Sequence, residues 1–169
     1  MVRGLADTGA LRWISLPEFA RLNVPNPNSA KIILSPDQAG AANELRGAVS
    51  AGAFAAFLLD GVTGSGKTET YFEAIAQALS QKKQALILLP EIALTVQFLD
   101  RFAARFGCRP AEWHSDMSTK ERKRVYRAVL SGEARVVAGA RSALFLPFAE
   151  LGLIVVDEEH EQAYKQEEG

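Results

Sequence analysis

From Ser35 onward the chain alternates short apolar runs with segments whose apolar residues recur every three to four positions, the pattern of strands interleaved with amphipathic helices. Ser35-Pro36-Asp37-Gln38 announces the first helix. It offers a serine N-cap, a proline whose missing N–H costs nothing at the first helical position, and a glutamine able to return to the cap backbone. That helix is expected to reach about Ser50, with Gly52 as its stop. The apolar run 54–59 reads as a strand, followed by a glycine-rich turn and a helix over about 67–81 with Phe72, Ile75, Ala76 and Leu79 on one face. A strand is expected over 85–89 and is broken by Pro90. A helix over about 94–106 and a short strand over 111–115 follow. Ser118 and Glu121 form a capping box opening a further helix, which ends near Ser131-Gly132 before strands at 135–138 and 153–156. Continuous apolar strands separated by amphipathic helices predict an α/β domain, its mainly parallel sheet covered on both faces. Residues 1–33, with Pro17, Pro25 and Pro27, lack such a period and read as a linker or a remnant of a preceding domain.

Composition narrows the class without naming a partner. The chain has 169 residues, 48% of them hydrophobic, enough for one domain with a core. Its 19 Lys and Arg nearly cancel its 20 Asp and Glu, so any contact with a nucleic-acid backbone must be local rather than driven by an overall field. Cys108, the sole cysteine, cannot form an internal disulfide, and no run approaches the roughly eighteen apolar residues of a membrane span. With no secretory signal pattern at the start, a soluble cytoplasmic protein is expected.

The chemistry concentrates in two places. Gly61-Val62-Thr63-Gly64-Ser65-Gly66-Lys67-Thr68 fits the phosphate-binding loop G-x-x-x-x-G-K-[ST] and lies between an expected strand and an expected helix. Glycines let such a loop wrap phosphates, its backbone N–H groups point inward, and the helix N-terminus adds positive potential. Lys67 is placed to reach the β- and γ-phosphates of ATP, and Thr68 to offer its hydroxyl to Mg²⁺. A chance glycine turn ahead of Lys-Thr is the competing reading, and the flanking strand and helix argue against it.

The second place is the end of the run 153–156, where Asp157-Glu158-Glu159-His160 emerges at the strand edge used by ligands in open α/β sheets. Asp157 is the candidate for Mg²⁺, through water, and Glu158 for the general base acting on an attacking water. His160 is placed to couple the site to a neighbouring lobe. A merely solvated acidic strand end is the alternative, but a phosphate loop demands a carboxylate on an adjacent strand.

The segments GVTGSGKTETY, LPEIALT, WHS, GARSALFLPF, LGLIVVDEEH and AYKQEEG, in this order and spacing, resemble the first motor lobe of the primosomal replication-restart helicases of superfamily 2. The resemblance covers about residues 34–169, and the DEEH form with its flanking GARSALF and AYKQ segments is its most specific part. It implies a RecA-like P-loop NTPase lobe, incomplete at its C-terminal end, in a 3′-to-5′ DNA helicase that uses ATP and Mg²⁺. It further implies forked or single-stranded DNA, primosome proteins and single-strand-binding proteins as partners. A second lobe lies across the ATP cleft in that family, and a third-motif strand lies between the phosphate-loop strand and the DEEH strand. Neither is expected in this chain, so weak binding and slow turnover are expected of it alone. The family's zinc-binding cysteine cluster is likewise not matched by Cys108 alone. Residues 1–15 look like the end of the family's winged-helix domain.

Carried across by position, Gly64, Gly66, Lys67 and Thr68 form the nucleotide loop, Asp157 and Glu158 the hydrolytic pair, and His160 the coupling residue. Arg141 and Ser142 fall in a DNA-contacting motif in which Ala140 stands where threonine is common, leaving one backbone contact in doubt. Gln38 matches a glutamine that reads adenine, yet it also occupies the capping-box position, and both roles stay open. Pro90, Glu91 and Thr95 lie in a further nucleic-acid motif, where Pro90 equally ends a strand. Tyr164 and Lys165 pair an aromatic face with a cation in a manner suited to single-strand stacking. His114 and Trp113 read as a strand end and a rim or core residue, and the basic run 120–124 reads as a solvated helix face. Two other readings remain: another superfamily 2 translocase, or a non-catalytic DNA- or partner-binding module with a vestigial nucleotide site.

Overall fold

The computed structural model describes residues 21–157 apart from 63, 91 and 92. Helix α1 (Pro36–Ala51) begins with both halves of the expected capping box. Ser35 Oγ accepts from the Gln38 amide at 3.3 Å, and Gln38 Oε1 accepts from the Ser35 N–H at 2.8 Å. It stops at Gly52, which takes the left-handed φ of 68° that a side chain would resist. Then follow α2 (Lys67–Ser80), β1 (Gln84–Leu88), α3 (Val96–Phe106), β2 (Ala111–Trp113), α4 (Thr119–Leu130), β3 (Val136–Gly139), a 3₁₀ turn (Arg141–Phe145) and β4 (Leu151–Val156).

The four strands form one parallel sheet in the order β2-β3-β1-β4, with Leu86 of β1 opposite Val137 of β3 and Ile154 of β4. Strand β1 is buried along its whole length because helices cover both faces. On one face α2 and α3 pack Phe72, Ile75, Phe102 and Phe106 against Ala85, Ile87, Val136 and Ala138. Phe72 meets Phe102 and Phe106 edge-on at 5.6 and 5.5 Å, the arrangement ring quadrupoles prefer. On the other face Val125, Ala128 and Val129 of α4, with Ala143 and Leu146, cover Leu86, Leu88 and Val137. Buried Gln84 has all its needs met there. Its amide donates to the carbonyls of Val129 (3.1 Å) and Ala134 (2.8 Å), and its oxygen accepts from the Glu150 N–H at 2.9 Å. The fold expected from the sequence, a parallel sheet with helices on both faces, is thus present.

Three local expectations are corrected. Residues 54–59 form no strand, and Phe54 is 98% exposed. A strand needs a ladder, and this run pairs with none of the four strands. Strand β4, expected to be buried on both faces, turns Leu153 and Val155 into the core while leaving Ile154 44% exposed, since among the described residues no helix lies over that side. Among the described residues its outer edge has no partner, on the side where the resemblance places another strand. Finally, α3 starts two residues later than expected because Thr95 is its cap.

Residues 22–34 lie against the lobe rather than away from it. The Asn26 N–H donates to Phe106 O at 2.9 Å, Arg105 donates to Pro27 O at 2.8 Å, and Ile32 joins the α2/α3 core. Among the described residues no helix is long and apolar enough to cross a membrane.

Candidate functional site

The loop 61–66 feeds directly into α2, whose N-terminus concentrates unpaired backbone N–H groups and the positive end of the helix dipole. A Cβ would crowd its neighbours at two of its glycines, and at Gly66 the backbone conformation also demands glycine. Gly66 has φ 82°, and a Cβ there would stand 2.2 Å from Gln38 Nε2; at Gly61 a Cβ would stand 2.7 Å from Ser65 Oγ. Gly64 also takes a left-handed φ, 81°. Lys67 turns its ammonium back across the loop, donating to the Gly61 carbonyl and, at 3.4 Å, to that of Val62. The cation therefore lies against the backbone at the start of the loop.

Gln38 connects this loop to α1. While its oxygen completes the capping box, its Nε2 donates to Ser65 O at 2.7 Å. Of the two roles the sequence left open, the cap is formed, and the amide's other end fastens the phosphate loop. Each end of the amide keeps one further hydrogen or lone pair for another partner.

Asp157 leaves the end of β4, its N–H bonded to Leu88 O at 3.0 Å, and its Oδ2 accepts from the Tyr71 hydroxyl at 2.9 Å. Tyr71 lies one turn along α2 from Lys67 and Thr68 and is only 5% exposed. Burial, then the negative charge and hydrogen bond of Asp157, push its phenol well above the ordinary tyrosine value. The Thr68 hydroxyl and Arg101 act on the same phenol in the opposite, weaker sense. Tyr71 thus brings the Asp157 carboxylate against the first turns of the helix that begins at Lys67. Beside them Glu69 pairs with Arg101 at 2.7 Å, and its buried Oε2 has no hydrogen-bond partner among the described residues.

The donor set fits Mg²⁺. A hydroxyl and a carboxylate are hard oxygen ligands, and this ion takes one or two protein groups and completes its shell with water and phosphate. No cluster of three or more His, Cys, Asp or Glu among the described residues could hold a metal without such help.

Other expected residues fall along the same C-terminal edge of the sheet. Arg141 and Ser142 are exposed in the 3₁₀ turn after β3, and Ser142 Oγ accepts from Trp113 Nε1 at 3.2 Å, which makes Trp113 a rim residue. Thr95 Oγ1 accepts from Phe98 N at 3.3 Å as the cap of α3, leaving its hydroxyl hydrogen for another acceptor. Pro90 is buried, and its carbonyl accepts from Ala93 and Leu94. Thr63, Glu91, Glu158, His160, Tyr164 and Lys165 lie outside the described residues.

Tyr71 and the Glu69–Arg101 pair went unnoticed in the sequence. A tyrosine three positions after the phosphate-loop threonine lies on the same helical face, and its hydroxyl on an otherwise apolar stripe was the available signal.

The family model described as DEAD/DEAH box helicase matches residues 35–169. The chain is similar to the replication restart protein PriA of Rickettsia felis, 54% identical over 112 residues, which is 66% of this chain and 17% of that protein. It is also similar to the PriA proteins of Bacillus subtilis and Helicobacter pylori. The first is 47% identical over 135 residues, 80% of this chain and 17% of that protein. The second is 50% identical over 133 residues, 79% of this chain and 20% of that protein. The chain therefore spans a fifth or less of the length of these curated relatives. With the parallel sheet and its helices, these likenesses identify the described lobe as RecA-like.

Proposed function

The chain belongs to the DEAD/DEAH box helicase family, and we propose that it is the ATP-binding lobe of an ATP-dependent, 3′-to-5′ DNA helicase acting in replication restart and primosome assembly. One observation carries the reading: the Tyr71–Asp157 hydrogen bond holds the strand-end carboxylate against the first turn of the phosphate-loop helix. A glycine turn without this partner would bind anions and do nothing more.

Bound Mg²⁺ and ATP supply a neutralised triphosphate with a good leaving group. Lys67, released from its loop carbonyls, counters charge on the β- and γ-phosphates, while the Gly64–Gly66 backbone cradles them. Thr68 and Asp157 are the residues that would hold the metal, with Tyr71 fixing the carboxylate. Glu158 follows Asp157 in sequence and is the proposed base for water; His160, Tyr164 and Lys165 are proposed to couple hydrolysis to DNA. Arg141, Ser142 and Thr95 present donors to a strand on the same edge. Primosome and single-strand-binding proteins are the proposed partners of the longer protein.

The test is DNA-stimulated ATP hydrolysis and strand unwinding by a chain extended through the length of its relatives, with and without Lys67→Ala. Loss of both activities is expected. Unwinding that survives the substitution would overturn the motor reading and favour a binding module, whereas hydrolysis without unwinding would favour a translocase.

A further inference from the structure

Helix α4 and strand β2 build a surface that the nucleotide site does not use. The helix carries Lys120, Arg122, Lys123, Arg124 and Arg127 against one acid, Glu121, in a protein of net charge −1. That acid is committed to the cap, accepting from Ser118 N at 3.0 Å and Ser118 Oγ at 2.6 Å. While Val125, Ala128 and Val129 face the core, the adjoining flank of the helix borders a shallow cleft lined by Trp113, Arg122, Lys123, Tyr126 and Arg127.

A basic helix face alone is ordinarily just solvated. Here two features set it apart. The cations are interleaved with two aromatic rings, and one cation is locked in place. The Arg122 guanidinium lies 5.7 Å from the Trp113 ring centroid and donates to His114 O at 3.0 Å and Ser115 O at 2.9 Å, so ring and cation form a fixed wall. Tyr126 remains 47% exposed across the cleft. Trp113 is also bonded to Ser142, which makes the cleft continuous with the Arg141–Ser142 edge.

We infer that this cleft is a second contact site for single-stranded DNA, with an unpaired base stacked on Tyr126 beside the Trp113–Arg122 wall and adjacent phosphates on Lys120 and Lys123. The inference rests on the DNA-binding reading above and extends it. Phosphate charge matches the cations, and an aromatic face open to solvent matches a base plane that only an unpaired strand presents. Duplex DNA offers the charge without the plane.

Fluorescence anisotropy of a labelled oligothymidylate with this chain tests it, using Tyr126→Ala, Lys123→Ala and Arg141→Ala, all at exposed positions. Tyr126→Ala is expected to weaken single-strand binding about tenfold and to leave duplex binding and fluorescent-nucleotide binding unchanged. Lys123→Ala should reduce the slope of log affinity against log salt by about 0.7. If Arg141→Ala weakens binding while Tyr126→Ala and Lys123→Ala are silent, the second site is refuted and the proposed function stands. If the unaltered chain and a longer one both ignore the oligonucleotide, both readings fall. Equal loss of duplex and single-strand affinity in Tyr126→Ala, or equally tight binding of poly-glutamate, would reduce the cleft to a nonspecific charge patch.

Discussion

Replacing Tyr71 by phenylalanine deletes one oxygen and leaves the ring on its neighbour Phe72, 5.3 Å away edge-on. The lost hydrogen bond runs to a carboxylate at 2.9 Å, a class worth about 1.5–3 kcal/mol. Asp157 is half-exposed and can take up water in exchange, so the lower end applies. About 1.5 kcal/mol lowers the melting temperature by roughly 3–6 °C in a protein of this size. The functional consequence is separable from this loss. Without the Tyr71 bond the Asp157 carboxylate is less restrained, and ordering it when metal binds costs up to about 0.5–1.5 kcal/mol, or roughly two- to twelvefold in affinity. The assay is titration of a fluorescent ATP analogue at a temperature where both proteins are folded, once with excess Mg²⁺ and once with EDTA. The ratio of the two dissociation constants isolates the metal's contribution. It is expected to shrink two- to twelvefold in Tyr71→Phe, with the EDTA value unchanged. An unchanged ratio would show that the tyrosine does not position the carboxylate. A larger one would show that its hydroxyl competes with the metal.

Further predictions concern the loop, its tether and one cap. Gly66→Ala places a methyl 2.2 Å from Gln38 Nε2 at φ 82°. It should cost about 1–2 kcal/mol of backbone strain and abolish nucleotide binding, read by urea denaturation and nucleotide titration. Arg105→Ala removes a buried guanidinium from Glu73 (2.9 Å), Pro27 O and the Phe106 ring. Because Arg46 still pairs with Glu73, a loss near about 3 kcal/mol is expected, with Arg105→Met/Glu73→Leu recovering part of it in the same denaturation assay. The Ser118 hydrogen bonds hold the Glu121 carboxyl below its ordinary 4.5. A depressed folded value means that this contribution is complete above 4.5 and fades as pH falls through the folded value. Glu121→Gln keeps an acceptor that does not titrate, so the pH dependence of thermal stability below 4.5 should flatten.

The elements that sequence pattern located well are those whose signal is local. Ser35 and Ser118 each announced a capping box that the structure contains, and Gly52 the left-handed stop of α1. Alternation of helix and apolar run was enough for the parallel sheet. The run 54–59 misled because an apolar segment becomes a strand only where a free ladder awaits it, and pairing is a property of the whole sheet. The site divides likewise. Lys67, Thr68 and Asp157 were legible from a motif that chemistry constrains at fixed spacing. Tyr71 was hidden because its partner lies 86 positions away, and Gln38 stayed ambiguous because its two ends serve different segments. Within residues 1–33, read as a linker or remnant, Asn26 and Pro27 engage the lobe through backbone groups, Asn26 N and Pro27 O, which leave no mark on side-chain periodicity.

Strand β4 ends this sheet with a row of N–H and C=O groups that nothing among the described residues satisfies, carried on the sequence Leu-Gly-Leu-Ile-Val-Val. Such a border acts as a template for any extended chain, a second copy of itself included, because it carries no lysine or proline to discourage zippering and its one register shift, at Gly152, lies near its start. Purified alone, the lobe should therefore show turbidity and thioflavin-positive assemblies that grow with concentration, and a lysine in place of Ile154 should suppress them.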